Sequence, residues 1–232
     1  MEIDFSYTNF AGPFPRMPLS IKAIYAESAF FNSLDNSHFD GCTEIEIISL
    51  EGLAVDSPIP TEWRDIGVEF IYVYDSGLTG SLDNLVYTDP TDGSYSPTEI
   101  WIDRNSNMTG TIPKELANNV VVSYSFTENN LSGTIPTEFG DMFTLRYLWL
   151  YGNNLIGNIP TELALLPRIT LLRVENNTLT GTVPTEICTE KQTGFPSYLF
   201  DIVGADPSLC LNSCCDCTNI EDCDVIQDGY FQ

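Results

Sequence analysis

The sequence predicts an α/β solenoid, a fold in which a repeated unit adds one short strand at a time to a single parallel β-sheet. Four stretches of the 232-residue chain have nearly the same residues in the same order: 108–115, 131–138, 155–162 and 179–186. The prolines of the last three, Pro136, Pro160 and Pro184, stand 24 residues apart. A fixed period of this length is typical of repeat proteins, whose units bury their apolar sides against their neighbours. We therefore expect an extended, repeated functional surface.

Each unit is predicted to contain a short strand followed by a turn. In one unit Leu148 and Leu150 alternate with outward residues, as a strand that faces a core requires. Gly157 permits a tight turn, and Pro160 ends regular pairing because it lacks an N–H. In four units an asparagine follows the strand, and its amide can bond backbone groups that the turn leaves open. These asparagines are expected to form a structural ladder: Asn105, Asn129, Asn153 and Asn177.

The complete unit, L-x-x-L-x-L-x-x-N-x-L-x-G-x-I-P, resembles the plant-type leucine-rich repeat. The match is close from Val121 to Ile187 and looser in the unit that contains Ile100 and Ile102. Two units with weaker agreement precede it. We count six repeats over residues 45–187, interrupted by a turn-rich insertion loop at 87–96, within one structural domain.

The resemblance implies a leucine-rich-repeat horseshoe, or right-handed superhelix. One parallel β-sheet would line its concave face, and short strands, turns and 3-10 helices would form its convex side. An open solenoid exposes apolar core at its ends, so caps are expected at 1–44 and 188–232. A helix is expected in the N-terminal cap, because four apolar residues recur there at roughly helical spacing: Leu19, Ala23, Ala26 and Phe30.

The C-terminal cap is rich in cysteine. Its six cysteines are Cys188, Cys210, Cys214, Cys215, Cys217 and Cys223. The chain is similar here to secreted leucine-rich-repeat proteins of algal and diatom-like type, and this resemblance implies a disulfide-stapled cap. Six cysteines allow about fifteen connectivities, among which the sequence does not choose. Zinc is the alternative, but the spacing suits tetrahedral ligation poorly and His38 is the sole histidine.

Cys42 is expected to stay apart from those six cysteines. Six coils at about 4.8 Å each place it roughly 25 Å from the C-terminal cap, beyond disulfide reach. We expect it to be free and buried, with a link between two chains as the alternative. Disulfides indicate an oxidising compartment, and hence a secreted, cell-surface or cell-wall protein. Three sequons are candidate glycosylation sites: Asn107, Asn130 and Asn176.

The composition of the chain limits the classes of molecule that it is expected to bind. With 43% hydrophobic residues and no apolar run near the length of a membrane span, the chain is expected not to insert into membranes. Nine basic and 33 acidic residues give a net charge of -24, which disfavours nucleic acid and anionic membranes. No cofactor is expected. Ca²⁺ is the alternative, although Asp89, Asp92 and the acidic 221–224 segment lack EF-hand spacing.

The outward residues of the strands are the candidate binding site. Trp101 and Trp149 lie two coils apart, about 10 Å, and are expected to form the walls of a notch whose floor is Ser123, Ser125 and Thr127. Rings and hydroxyls of this kind suit a peptide or a sugar. The other candidate residues of this face are Tyr72, Tyr74, Tyr147, Tyr151, Glu99, Asp103 and Arg173. The competing interpretation is an aromatic ladder that only stabilises the sheet.

These observations favour an extracellular recognition or adhesion module. It would act as a monomer and bind a protein, peptide or polysaccharide on its concave face, as the resemblance to receptor ectodomains implies. The alternative is a structural matrix or cell-wall protein that self-associates or is bridged by calcium. An enzyme is not expected, because the chain has a single histidine and lacks nucleophile, phosphate-loop and metal motifs.

Overall fold

The computed structural model describes residues 1–64, 66–87, 96–181 and 183–184, together with the backbone of 201–203. The six cysteines expected to staple the C-terminal cap lie outside the described residues, as do residues 88–95 of the expected insertion loop. In chain order the strands are β1 (Glu2–Asp4), β2 (Ala11–Pro13), β3 (Ala23–Glu27), β4 (Phe30–Ser33), β5 (Ile47–Glu51), β6 (Ser57–Pro58), β7 (Phe70–Tyr74), β8 (Leu78–Gly80), β9 (Glu99–Asp103), β10 (Asn107–Met108), β11 (Ser123–Ser125), β12 (Ser132–Gly133), β13 (Tyr147–Trp149), β14 (Asn154–Gly157), β15 (Leu171–Arg173), β16 (Thr178–Leu179) and β17 (Asp201–Val203).

The helices of the described residues are short 3-10 turns. They are η1 (Asn36–His38), η2 (Thr61–Arg64), η3 (Leu82–Leu85), η4 (Lys114–Asn118), η5 (Thr137–Asp141) and η6 (Thr161–Leu165). The last three each start directly after the repeat proline, which takes the position before the first helical residue with φ between -63° and -62°. None of them is long and apolar enough to cross a membrane.

A single parallel sheet carries one strand from each coil, as the repeat predicts. Its order within the described residues is β1-β3-β5-β7-β9-β11-β13-β15-β17. Strands β7 and β9 pair in register even though the expected insertion lies between them. The inward positions form two buried rows, of which one is Ile48, Ile71, Ile100, Tyr124, Leu148 and Leu172. The convex side carries the 3-10 turns and two three-stranded ladders, β6-β8-β10 and β12-β14-β16. The prediction of a leucine-rich-repeat solenoid is confirmed.

The N-terminal helix is not present, so that part of the prediction was wrong. Residues 18–31 instead include β3 and the start of β4. Strand β3 pairs with β5 over five residues, which satisfies its backbone groups by extending the main sheet. Leu19 and Phe30, which were assigned to the apolar face of the helix, are 65% and 63% exposed. The helical spacing therefore came from residues that occupy different turns and strands.

Cys42 is buried, which agrees with the expectation, and it is a free thiol. It lies in the core near Phe39 and Ile45, and its Sγ is 3.7 Å from the carbonyl oxygen of Pro18. Burial raises the pKa of the thiol, which keeps it protonated and unreactive.

Four asparagines of the described residues each join their own coil to the one before it. The Oδ1 of Asn105 accepts hydrogen bonds from the amides of Ser76 (3.1 Å) and Leu78 (3.0 Å), and its Nδ2 donates to the carbonyls of Val73 (3.2 Å) and Asp103 (2.8 Å). The next three asparagines have the same role. The Oδ1 of Asn129 accepts from the amide of Asn105, that of Asn153 from the amide of Leu131, and that of Asn177 from the amide of Leu155. These side chains satisfy backbone groups that the turns leave inside the solenoid.

Candidate binding face

Three outward rows of side chains cover the concave face of the main sheet. The strand register aligns the central row as Ser49, Tyr72, Trp101, Ser125, Trp149 and Arg173. One neighbouring row is Phe70, Glu99, Ser123, Tyr147 and Leu171. The residues at the other edge of the sheet are Glu51, Tyr74, Asp103, Thr127, Tyr151 and Glu175. The candidate ligand-binding residues from the sequence therefore all belong to the strands and strand ends of this face.

Five rings run across four strands of the face without a break, and we call them the aromatic ridge. Phe70 stacks on Tyr72 with ring centroids 6.1 Å apart, and Tyr72 meets Trp101 edge-on at 4.9 Å. Trp101 lies 5.4 Å from Trp149, whose ring is 6.2 Å from that of Tyr147. Tyr147 is 36% exposed, and the other four rings are half-buried. The ridge therefore combines a rigid, mutually packed interior with an accessible apolar surface.

The expected notch is closed, so its prediction as an opening between two aromatic walls was wrong. The small side chains of Ser123 and Ser125 leave room into which both indoles lean until their rings meet. The Nε1 of Trp101 donates a 2.8 Å hydrogen bond to the Oγ of Ser123. Ser123, Ser125 and Thr127, expected as an exposed floor, are 1%, 0% and 3% exposed. They support the ridge from below.

Asp103 is held by hydrogen bonds beside the ridge. Both of its carboxylate oxygens lie 2.8 Å from the Oγ of Ser125, and Oδ1 also accepts a 2.7 Å bond from the amide of Thr127. Burial raises the pKa of Asp103 to about 6, and the bonds from Ser125 and Thr127 only partly oppose this effect.

This carboxyl group is expected to make stability depend on pH. Because the folded-state pKa of Asp103 is above the usual 3.8, the folded protein holds this proton more tightly than the unfolded chain. The resulting stabilisation is complete below pH ~4 and is lost as the pH rises through ~6, a change of about 3 kcal/mol. Measuring the free energy of unfolding over this range for the parent and for Asp103→Asn isolates the group, since the amide does not titrate. Parallel pH profiles for the two proteins would contradict the assignment.

Two arginines beside the face form ion pairs with glutamates of the same chain. The guanidinium of Arg104 lies 4.9 Å from the ring centroid of Tyr74 and pairs with Glu128. That of Arg173 lies 4.4 Å from the Tyr151 ring, and its Nε donates a 2.7 Å bond to Glu175. Each cation is thus placed between a tyrosine ring and a glutamate.

Sequence reasoning missed Arg104 and Glu128. They follow β9 and β11, where the backbone enters the left-handed region with φ of 56° and 51°. This conformation places Arg104 and Glu128 beside the face, where they pair with each other. The sequence did contain a signal for these residues. In each of the four units the residue immediately before the ladder asparagine adopts a positive φ: Arg104, Glu128, Gly152 and Asn176.

Tyr72 forms a third pair of a tyrosine and a glutamate. Its hydroxyl donates a 2.9 Å hydrogen bond to the Oε2 of Glu99. Burial, this bond and the charges of Glu99 and Glu69 raise the pKa of Tyr72 well above its usual value, so the ring remains neutral. Glu69 is exposed and immediately precedes Phe70, so two carboxylates lie beside the first two rings of the ridge.

The chain is similar to known repeat proteins. Residues 144–166 match the family model described as Leucine Rich Repeat. No curated protein sequence matches. The ectodomain of the Arabidopsis thaliana receptor kinase GASSHO1/SCHENGEN3, solved in complex with CASPARIAN STRIP INTEGRITY FACTOR 2, is 24% identical with a TM-score of 0.67, and the match covers 87% of this chain and 26% of that one.

Two further solved structures extend the comparison. The Arabidopsis receptor kinase HAESA, in complex with the peptide hormone IDA and the co-receptor SERK1, is 25% identical with a TM-score of 0.65 over 81% of this chain and 32% of that one. A plant ice-binding protein is 21% identical with a TM-score of 0.54, over 79% of this chain and 66% of that one, a likeness of fold alone. The present chain spans about a quarter to a third of the two receptor structures.

The repeat, the sheet and these likenesses define a leucine-rich-repeat solenoid whose concave surface is the main sheet. In fold the chain resembles the leucine-rich-repeat ectodomains of plant receptor kinases.

Proposed function

We propose that this protein is an extracellular recognition module that binds an extended peptide segment along the aromatic ridge. The main support for this proposal is the aromatic ridge, whose five adjoining rings are partly exposed on the face of the sheet. Exposed aromatic clusters of this kind are typical of binding surfaces, where they supply most of the affinity.

The dimensions of the ridge suit an extended chain. From β7 to β13 it crosses three strand intervals, or about 14 Å. An extended segment of about four residues has that length, and its side chains would alternate between the rings and solvent. The peptide-bound HAESA receptor, which has the same fold, supports this choice of ligand class over a polysaccharide.

The remaining features fit an extracellular protein that acts without catalysis. The three sequon asparagines, Asn107, Asn130 and Asn176, are exposed, so attached glycans would project from the coil edges. We expect the cysteines of the C-terminal segment to form disulfides in such a compartment. We also expect a monomer, because one ligand-binding face per chain needs no partner copy.

The test compares the parent with a Trp101→Ala/Trp149→Ala double variant on peptide and glycan arrays. Loss of both indoles removes the centre of the ridge, so we expect peptide binding to weaken about a hundredfold. Phe143→Ala is the matched control, because this ring is 61% exposed but lies away from the strands of the face.

Denaturation curves would show that each variant still folds. Equal binding by the parent and the double variant would overturn the proposal. Self-association measured with and without Ca²⁺ would then test the structural alternative.

A further inference from the structure

We propose that the aromatic ridge selects a basic peptide, with a Lys or Arg side chain seated over Phe70 and Tyr72 between the carboxylates of Glu69 and Glu99. This inference rests on the proposed function and specifies the chemistry of its ligand.

The first argument is a comparison of three places on the face where a tyrosine ring adjoins a glutamate. At Tyr74 the chain supplies Arg104, which covers the ring and pairs with Glu128. At Tyr151 it supplies Arg173, which covers the ring and pairs with Glu175. At Tyr72 the rings and carboxylates are present, but among the described residues neither Glu69 nor Glu99 makes an ion pair. A guanidinium or ammonium from a ligand would complete the third site in the same way.

The second argument is the geometry of that site. Phe70 and Tyr72 stack at an interplanar angle of 24°, so they present nearly parallel rings. Phe70 and Glu99 are direct neighbours in the sheet register, which places the carboxylate beside the ring. The Oε2 of Glu99 already accepts from Tyr72, yet a carboxylate can accept about four hydrogen bonds and retains capacity for a charged donor. A ring face and a carboxylate together recognise a cation more strongly than either does alone.

The third argument is charge complementarity over a longer range. The 33 acidic and nine basic residues give a net charge of -24, which attracts basic ligands and repels acidic ones. Arg104 and Arg173, which stack on rings of the face, are both paired with glutamates of the chain. They therefore do not cancel the negative potential around Phe70 and Tyr72. A basic peptide is therefore attracted by the net negative charge of the whole protein as well as by the carboxylates of Glu69 and Glu99.

The experiment uses the full chain and sets of extended peptides that differ at one position, which is Arg, Lys, citrulline or Glu. Citrulline keeps the shape of arginine but lacks its charge. We expect the Arg peptides to bind the parent about tenfold more tightly than the citrulline peptides, and the difference to shrink as salt is added. Glu69→Gln/Glu99→Gln should remove that preference, so that Arg and citrulline peptides bind this variant with equal affinity. Glu115→Gln, an exposed residue of the convex helix η4, is the matched control.

The outcomes separate this inference from the proposed function. If Trp101→Ala/Trp149→Ala abolishes binding but Arg and citrulline peptides bind the parent equally, the ridge is a peptide site and the basic preference is wrong. A preference that survives Glu69→Gln/Glu99→Gln also overturns the assigned seat. If no peptide binds the parent, the proposed function fails and this inference fails with it.

Discussion

Replacing Asn105 by alanine is expected to lower the free energy of unfolding by about 4 kcal/mol, a large loss for a single side chain. The substitution removes the acceptor for two buried amides, those of Ser76 and Leu78, and the donor for the carbonyls of Val73 and Asp103. Asn105 is fully buried, so water cannot replace the lost partners. Each buried group left unpaired contributes about 1–3 kcal/mol, although relaxation recovers part of the total.

Chemical denaturation monitored by circular dichroism would measure this loss. Asn118→Ala is the matched control, because Asn118 is exposed in η4 and its replacement should change stability by less than about 0.5 kcal/mol. A loss below about 1 kcal/mol for Asn105→Ala would mean that the ladder contributes little beyond one ordinary hydrogen bond.

Gly140→Ala is expected to destabilise the protein by about 3 kcal/mol, through overpacking rather than lost bonds. Gly140 lies buried in η5, where this helix packs against η6 of the next coil. A Cβ added there would lie 2.5 Å from the carbonyl oxygen and 2.8 Å from the carbonyl carbon of Glu162. Because the obstacle is backbone, relief requires the two coils to separate.

Thermal and chemical unfolding of Gly140→Ala beside Gly110→Ala distinguishes this clash from a conformational effect. Gly110 has a φ of +87° but the nearest atom to an added Cβ is 3.5 Å away, so only the left-handed backbone opposes alanine, at about 1 kcal/mol. Equal losses in the two variants would show that the coils yield easily at Gly140.

The repeated part of the fold could be predicted because the same physical constraint recurs in every coil. Leu148 and Leu150 must point inward, and once one unit is aligned its neighbours fix the strand register. The N-terminal region offered no such check. There Leu19 and Phe30 matched a helical period by coincidence, while the edge of β5 offered backbone pairing to β3, which a local pattern does not report.

The sequence also predicted which residues form the binding face, but it did not predict the shape of that face. Alternation placed Trp101 and Trp149 outward, and their backbones are two coils apart. Whether the indoles stand apart or lean together depends on the space above Ser123 and Ser125 and on the bond from Trp101 to Ser123. Those are packing effects between coils, which the period does not encode.

The asparagine ladder gives the solenoid a direction. Each Asn side chain bonds the turn of the coil before its own, as Asn129 does for the amide of Asn105 and the carbonyl of Ile102. A coil therefore completes its predecessor and depends on its successor. Shortening the protein from its C-terminal side would strip partners from one turn after another, so fraying should propagate toward the N-terminus. Removal of N-terminal coils would leave the turns at Asn105, Leu131 and Leu155 with the asparagines that close them.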